Sequence, residues 1–257
     1  MDKKPQGGEE SGRHISQIET IWPVLRQAHT GDPVAVNAAQ QAILQRYRPA
    51  IFRYLVACLG DTEAADDLCQ EFSLRFVRGD FRNADPEKGR FRDLLKSSLY
   101  HLIIDYHKRR QRGMPQLSPE APEPSADSAS TLDSDRQFLA AWRADLLNKA
   151  WENLAAEEQK TGRPMHTVLH YRAAHPEMRS AQMAEQLTGR LGKEVTGDWV
   201  RKWLHAARER FAEFLLDEVS ASLQDATREA IVQELIDLEL FQYCKIAVDR
   251  WQEKQIP

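Results

Sequence analysis

From Ile18 to Tyr106, and again from Phe138 to Gln252, the apolar residues of this chain recur at three- and four-residue steps with interruptions, and the period-two alternation of a half-buried strand is essentially absent. That spacing predicts an all-α protein. With 257 residues, 42 % of them hydrophobic and six of them Trp, there is ample material for helical cores. The helical pattern breaks at Thr30-Gly31-Asp32-Pro33, where Asp32 ahead of Pro33 reads as a helix start, at Gly60-Asp61-Thr62, and at Asn83-Ala84-Asp85-Pro86.

A larger change of character comes at residues 113–135. This stretch holds Pro115, Pro119, Pro122 and Pro124, several serines, and five acids with no basic residue until Arg136. By composition it is a linker. The expected organisation is a disordered lead over residues 1–13, a helical domain over 14–112, the linker over 113–135, a second helical domain over 136–216, and a helical C-terminal extension over 217–257.

The helix expected from Gly89 to Arg112 is apolar on one side, through Phe91, Leu94, Leu95, Leu99, Leu102, Ile103 and Tyr106. Seven basic residues (Arg90, Arg92, Lys96, Lys108, Arg109, Arg110 and Arg112) face two acids, in a chain whose net charge is −4. Phosphate neutralisation is a local effect, so a mildly acidic protein can still carry a nucleic-acid face. Basic residues also gather at helix C-termini to complement the macrodipole, and Lys108, Arg109, Arg110 and Arg112 fit either account.

The preceding helix has the opposite sign. Asp61, Glu63, Asp66, Asp67 and Glu71 include no base among them, and they lie beside an apolar face of Leu68, Phe72 and Phe76. Acids near a helix N-terminus favour the dipole, or they form a protein-docking face. In the second domain, residues 180–187 read as a short helix, 188–195 as a turn and Thr196 as an N-cap before a helix with Trp199, Val200, Trp203, Leu204, Ala207 and Phe211. This is the layout of a helix-turn-helix reader, with Lys193, Arg201, Lys202, Arg208 and Arg210 as donors to phosphates and base edges.

Several functions are disfavoured. No P-loop, dinucleotide-binding turn, G-x-S-x-G elbow or Cys/His nucleophile pair appears, so neither an enzyme nor a cofactor is expected. His166 and His170 have the spacing of two zinc ligands but lack the glutamate of HExxH and a further ligand, and no metal is expected. Cys58, Cys69 and Cys244 stand far apart, which argues for a reducing compartment. No run approaches the roughly 18 apolar residues of a membrane span, and the first dozen residues carry no signal-peptide core. A cytoplasmic protein without membrane contact is expected.

Taken in order, these segments resemble a bacterial RNA polymerase sigma factor of the extracytoplasmic-function (ECF) group, in a variant with a long linker and a C-terminal extension. The resemblance spans about residues 18–216. It rests on Ala65-Asp66-Asp67-Leu68-Cys69-Gln70-Glu71-Phe72, which is similar to the acidic motif of that family. It rests also on Asp85-Pro86-Glu87-Lys88-Gly89-Arg90-Phe91-Arg92, on Leu102-Ile103-Ile104-Asp105-Tyr106, and on residues 199–211 as a recognition helix. Leu94 and His101 depart from the Trp and Asn that many relatives carry.

The resemblance implies that Asp66, Asp67, Gln70 and Glu71 contact core RNA polymerase. It implies that Lys108, Arg109, Arg110 and Arg112 engage promoter phosphates, and that Arg201, Lys202, His205 and Arg208, with Lys193 nearby, face the minus-thirty-five duplex. Phe81, Phe91, Tyr100 and Tyr106 are candidates for stacking on an unpaired base. The implied partners are core polymerase and promoter DNA, with room for an anti-sigma factor or other regulator. The alternatives are a helix-turn-helix regulator that binds duplex DNA without docking on polymerase, and an adaptor that mimics a sigma factor. The extension, with seven acids against one base over residues 217–239, is read as a restraint on the second domain.

Overall fold

A computed structural model describes residues 21–113 and 128–255, and among them every regular element is helical. The expected lead and most of the expected linker lie outside the described residues. The order is α1 (Ile21–Gln27), α2 (Pro33–Leu59), α3 (Thr62–Arg78), a 3₁₀ turn (Pro86–Lys88), α4 (Phe91–Gly113), α5 (Ser128–Thr161), α6 (Met165–Ala174), α7 (Ser180–Leu191), α8 (Gly197–Ser222), α9 (Arg228–Asp237) and α10 (Phe241–Gln255).

Local chemistry explains the helix ends. Asp32 caps α2 by accepting from the amides of Val34 and Ala35, and Pro33 supplies a first-turn residue with no N–H to satisfy. Asp61 caps α3 in the same way, through the amides of Glu63 and Ala64. Gly60 and Gly79 end α2 and α3 in the left-handed conformation, with φ of 64° and 97°, where a side chain would be strained.

Packing does not divide at residues 135–136. A single helix runs from Ser128 to Thr161, so it starts inside the stretch expected to be linker. At 1.5 Å per residue it is about 50 Å long, enough to serve two neighbourhoods. Its first half belongs to the core of α1–α4: Trp142 stacks on Tyr47 with ring centroids 5.4 Å apart, and Phe138 meets Tyr54 edge-on at 5.3 Å. Ser134 bonds Tyr54 at 2.6 Å and Asp135 pairs with Lys96 at 3.1 Å, which ties the start of α5 to α2 and α4. Its second half, from Trp151 and Leu154, packs with α6 and α8.

The boundary expected at residue 217 is likewise absent, because α8 continues to Ser222. No Gly or Pro interrupts it, and the apolar stripe runs on through Leu215, Leu216 and Val219. The N-terminal part of α8 builds a small core with α6 and α7, around Val168, Met183, Leu187, Val200 and Leu204. Its C-terminal part enters the large core shared by α1–α5, α9 and α10. α5 and α8 are thus two spines, each anchored at both ends, and truncating a buried aromatic side chain of the Trp142 kind to Ala costs about 3 to 5 kcal/mol.

Candidate functional site

On α3 the buried side chains Ala65, Leu68, Cys69, Phe72 and Phe76 face the core, which leaves Glu63, Asp67, Gln70, Leu74 and Val77 on one outer stripe at steps of three and four. Leu74 and Val77 are 55 % and 51 % exposed, a pair of bare aliphatic side chains continuing the acidic row. Sequence reasoning missed them, although their spacing from Asp67 and Gln70 is the signal that finds them.

The four residues assigned to polymerase contact do not form one cluster. Asp67 and Gln70 point outward. Asp66 sits on one flank, where Arg48 of α2 donates to it at 2.7 Å and Gln70 at 3.1 Å. Glu71 sits on the other flank and accepts from Arg75 at 2.5 Å and from Arg109 of α4 at 2.7 Å. Partial burial works against ionisation of Glu71, but those hydrogen bonds outweigh it and hold its carboxyl below the usual range. Arg75 is shared further with Asp105 of α4 at 3.2 Å. One ion-pair chain therefore joins a residue expected to touch polymerase to a residue expected to touch DNA.

The basic end of α4 is exposed throughout. Among the described residues Lys108, Arg110 and Arg112 make no ion pair, so their charge faces solvent, whereas Arg109 is held by Glu71. Of the aromatic candidates, Phe81 and Phe91 are core residues. Phe81 packs against Phe72 and Phe76, and Phe91 lies between Trp22 and Tyr47. Both lie on buried stripes and neither can stack on a base without leaving the core. Tyr100 and Tyr106 are half-buried.

The helix-turn-helix consists of α7 and α8. α7 runs to Leu191, four residues beyond the helix end expected at residue 187, and Gly192 ends it at a φ of 62°. The turn is therefore only residues 192–196, and Thr196 caps α8 by accepting from the amide of Trp199 at 3.2 Å. Lys193 lies over the Trp199 ring, 5.1 Å from its centroid. Arg201 pairs with Asp198 one turn back, while Lys202 is exposed and unpaired among the described residues. Arg201, His205 and Arg208 share a helix face.

His205 and Arg208 meet the extension as well. They line an apolar cavity of about 870 Å³ together with Trp151, Phe211, Tyr243 and Ile246. His205 lies 3.5 Å from Glu209, which also binds Arg250 of α10 at 2.6 Å. Arg210, placed by sequence among the phosphate donors, instead bonds Glu157 and Glu213, each at 2.7 Å. His166 and His170 each contact Trp151 edge-on, and among the described residues no group of three or more His, Cys, Asp or Glu gathers as a metal site.

Arg90 and Arg92 were legible only as charge. Both reach onto Glu234 and Asp237 of α9, in a four-residue cluster whose Arg92 and Glu234 are buried and whose Arg90 and Asp237 are half-buried. Burial pushes the Glu234 carboxyl up against the pull of Arg92 and Arg90. At Asp237 burial acts the same way, but hydrogen bonds from Arg90 and Gln233 prevail and lower it. The available sequence signal is Glu234 itself, which falls among Ile231, Leu235 and Leu238 at the spacing of a buried stripe.

The acidic helix with its exposed stripe and the following helix with its free cationic end fall within one segment that a comparison with known families matches. Residues 43–113 match the family model for Sigma-70 region 2. The match covers α2 from Ile43, α3 and α4, just over a quarter of the chain, and it supports kinship of this part with RNA polymerase sigma factors. No curated protein and no solved structure matches the chain. No helix among the described residues is long and apolar enough to cross a membrane.

Proposed function

We propose that this chain is a sigma factor of the ECF type, which binds core RNA polymerase and directs promoter recognition and transcription initiation. The observation that carries this reading is the juxtaposition on α3 and α4 of an exposed acidic and aliphatic stripe with a free basic helix end, within the segment that matches Sigma-70 region 2. The stripe of Asp67, Gln70, Leu74 and Val77, flanked by Asp66 and Glu71, suits a partner helix bearing basic and apolar residues. Lys108, Arg110 and Arg112, with Arg109 beside them, supply cations to a promoter strand.

The second DNA contact belongs to α7 and α8. Lys193 in the turn, with Arg201 and Lys202 at the exposed start of α8, stands where a recognition helix presents its residues to a major groove. His205 and Arg208 complete that face where α10 leaves it open. A protein acting on polymerase and chromosome works in the cytoplasm, and it positions an enzyme without being one. A free-standing regulator is disfavoured, since it needs no polymerase-docking stripe.

The test is run-off transcription with bacterial core polymerase on fragments of the source genome. The expected result is discrete promoter-initiated transcripts that require this chain. A folded protein that binds the fragments but yields no transcript above core polymerase alone would contradict the reading.

A further inference from the structure

The contact between α9 and the start of α4 bears on how the chain would reach DNA. Arg90 Nη1 donates to Glu234 Oε2 at 2.6 Å and to Asp237 Oδ2 at 2.5 Å, and Arg92 Nη2 donates to Asp237 Oδ2 at 2.9 Å. Arg92 Nε lies 3.2 Å from Glu234 Oε1, at an angle too poor for a hydrogen bond. Arg92 is 6 % exposed and Glu234 only 1 %, so that contact is desolvated, while Arg90 and Asp237 form the half-exposed edge of the cluster. Beside it, a cavity of about 510 Å³ separates Glu87, Gly89 and Arg90 from Gln224, Asp225 and Thr227 at the α8–α9 turn.

Three observations make this more than a brace. An apolar seam already exists here through Ile231, Leu235 and Leu238, and a buried ion cluster adds little stability over well-packed hydrophobic residues. The arginine set is also incompletely satisfied, because Arg92 Nε and Nη1 are buried with no hydrogen-bond partner among the described residues. Finally, paired guanidinium forks donate to phosphate oxygens in the same geometry as to carboxylate oxygens. They stand in the 85–92 segment, at the opposite end of α4 from its free cationic cluster.

We propose that α9 is an internal substitute for nucleic-acid phosphate: Glu234 and Asp237 occupy Arg90 and Arg92 in the free chain and leave when those arginines take the phosphates of a promoter strand. Two carboxylates are exchanged for two phosphates, so neither arginine is left unpaired in either state. This rests on the sigma-factor reading for the identity of the DNA, though not for the masking. It differs from a restraint on the second domain alone, since the masked groups lie at the start of α4 and just before it.

The experiment compares the full chain with its Glu234→Gln/Asp237→Asn variant in binding a fluorescent single strand of roughly 20 nucleotides, across a salt series. At about 0.7 in log-log slope per phosphate on a single strand, two unmasked arginines should steepen the salt dependence by about 1.4 and tighten binding at least about fivefold near 100 mM salt. Adding Arg90→Gln/Arg92→Gln to that variant should remove the gain. A folded variant with wild-type affinity and slope overturns the proposal. Should the variant not fold, hydrogen exchange of wild type decides. Loss of amide protection over residues 228–237 on adding promoter strand and core polymerase supports the exchange, and unchanged protection in the bound complex overturns it. A wild type that never binds polymerase counts against the sigma reading, while the single-strand comparison still decides the masking.

Discussion

The two ends of α4 carry similar charge and opposite environments. At the N-terminal end Arg90 and Arg92 are turned inward onto Glu234 and Asp237, and at the C-terminal end Lys108, Arg110 and Arg112 face water without an ion-pair partner among the described residues. A count of basic residues treats these groups alike. The difference arises from acids roughly 145 positions away in sequence, and it assigns the ends different work. The inward end joins the extension to the first helices, and the outward end is free for a polyanion.

The largest expected effect is on stability at the inward end. Arg92→Met keeps volume but leaves Glu234 buried with one cation fewer, and breaking such a buried set should cost about 3 kcal/mol. For a chain of this size that lowers Tm by about 10 °C, measurable by thermal unfolding. A loss within about 0.5 kcal/mol would erase the contrast, because it is the value expected of an exposed charge. The complementary change, Lys108→Ala/Arg110→Ala/Arg112→Ala, should leave Tm nearly unchanged. It should reduce the log-log salt slope for single-strand binding by about 2, at about 0.7 per contact. An unchanged slope would mean that the outward end is only a dipole partner.

A smaller effect sharpens the picture midway, where Arg109 and Arg75 converge on Glu71. Glu71→Gln should cost about 0.5 to 1 kcal/mol at neutral pH, a modest value for a partly exposed set screened by solvent. Because the Glu71 carboxyl is lowered in the folded chain, its contribution is present above the ordinary carboxylate range and fades as pH falls through and below it. Urea unfolding at neutral and acid pH should therefore show the wild-type advantage shrinking on acidification. An advantage that grew there would reverse the assigned sign.

Much of the fold was legible because its determinants are local. The period of the apolar residues gives the helices, and Asp32, Asp61 and Thr196 announce their starts through side chains that accept from amides two or three residues on. Partner choice was not legible. The stripe Phe138, Trp142, Leu146 and Ala150 says that one face of α5 is buried, yet nothing in its spacing says that α2 buries it. The same ambiguity set the boundaries at 136 and 217, which α5 and α8 cross. At the candidate site, the acidic motif and the basic helix end were readable as composition. The aliphatic pair Leu74 and Val77 and the Arg90–Glu234 pairing required knowing which faces are covered.

If the outer stripe of α3 docks on core RNA polymerase, the two will co-purify. Full-length wild type and the Asp66→Ala/Asp67→Ala variant are mixed with bacterial core polymerase and resolved by gel filtration. Wild type should co-elute with polymerase, and the variant, whose lost Arg48–Asp66 surface pair costs at most about 1 kcal/mol, should elute free and folded. A variant that co-elutes as wild type does, or a folded wild type that stays apart from polymerase, would contradict the account.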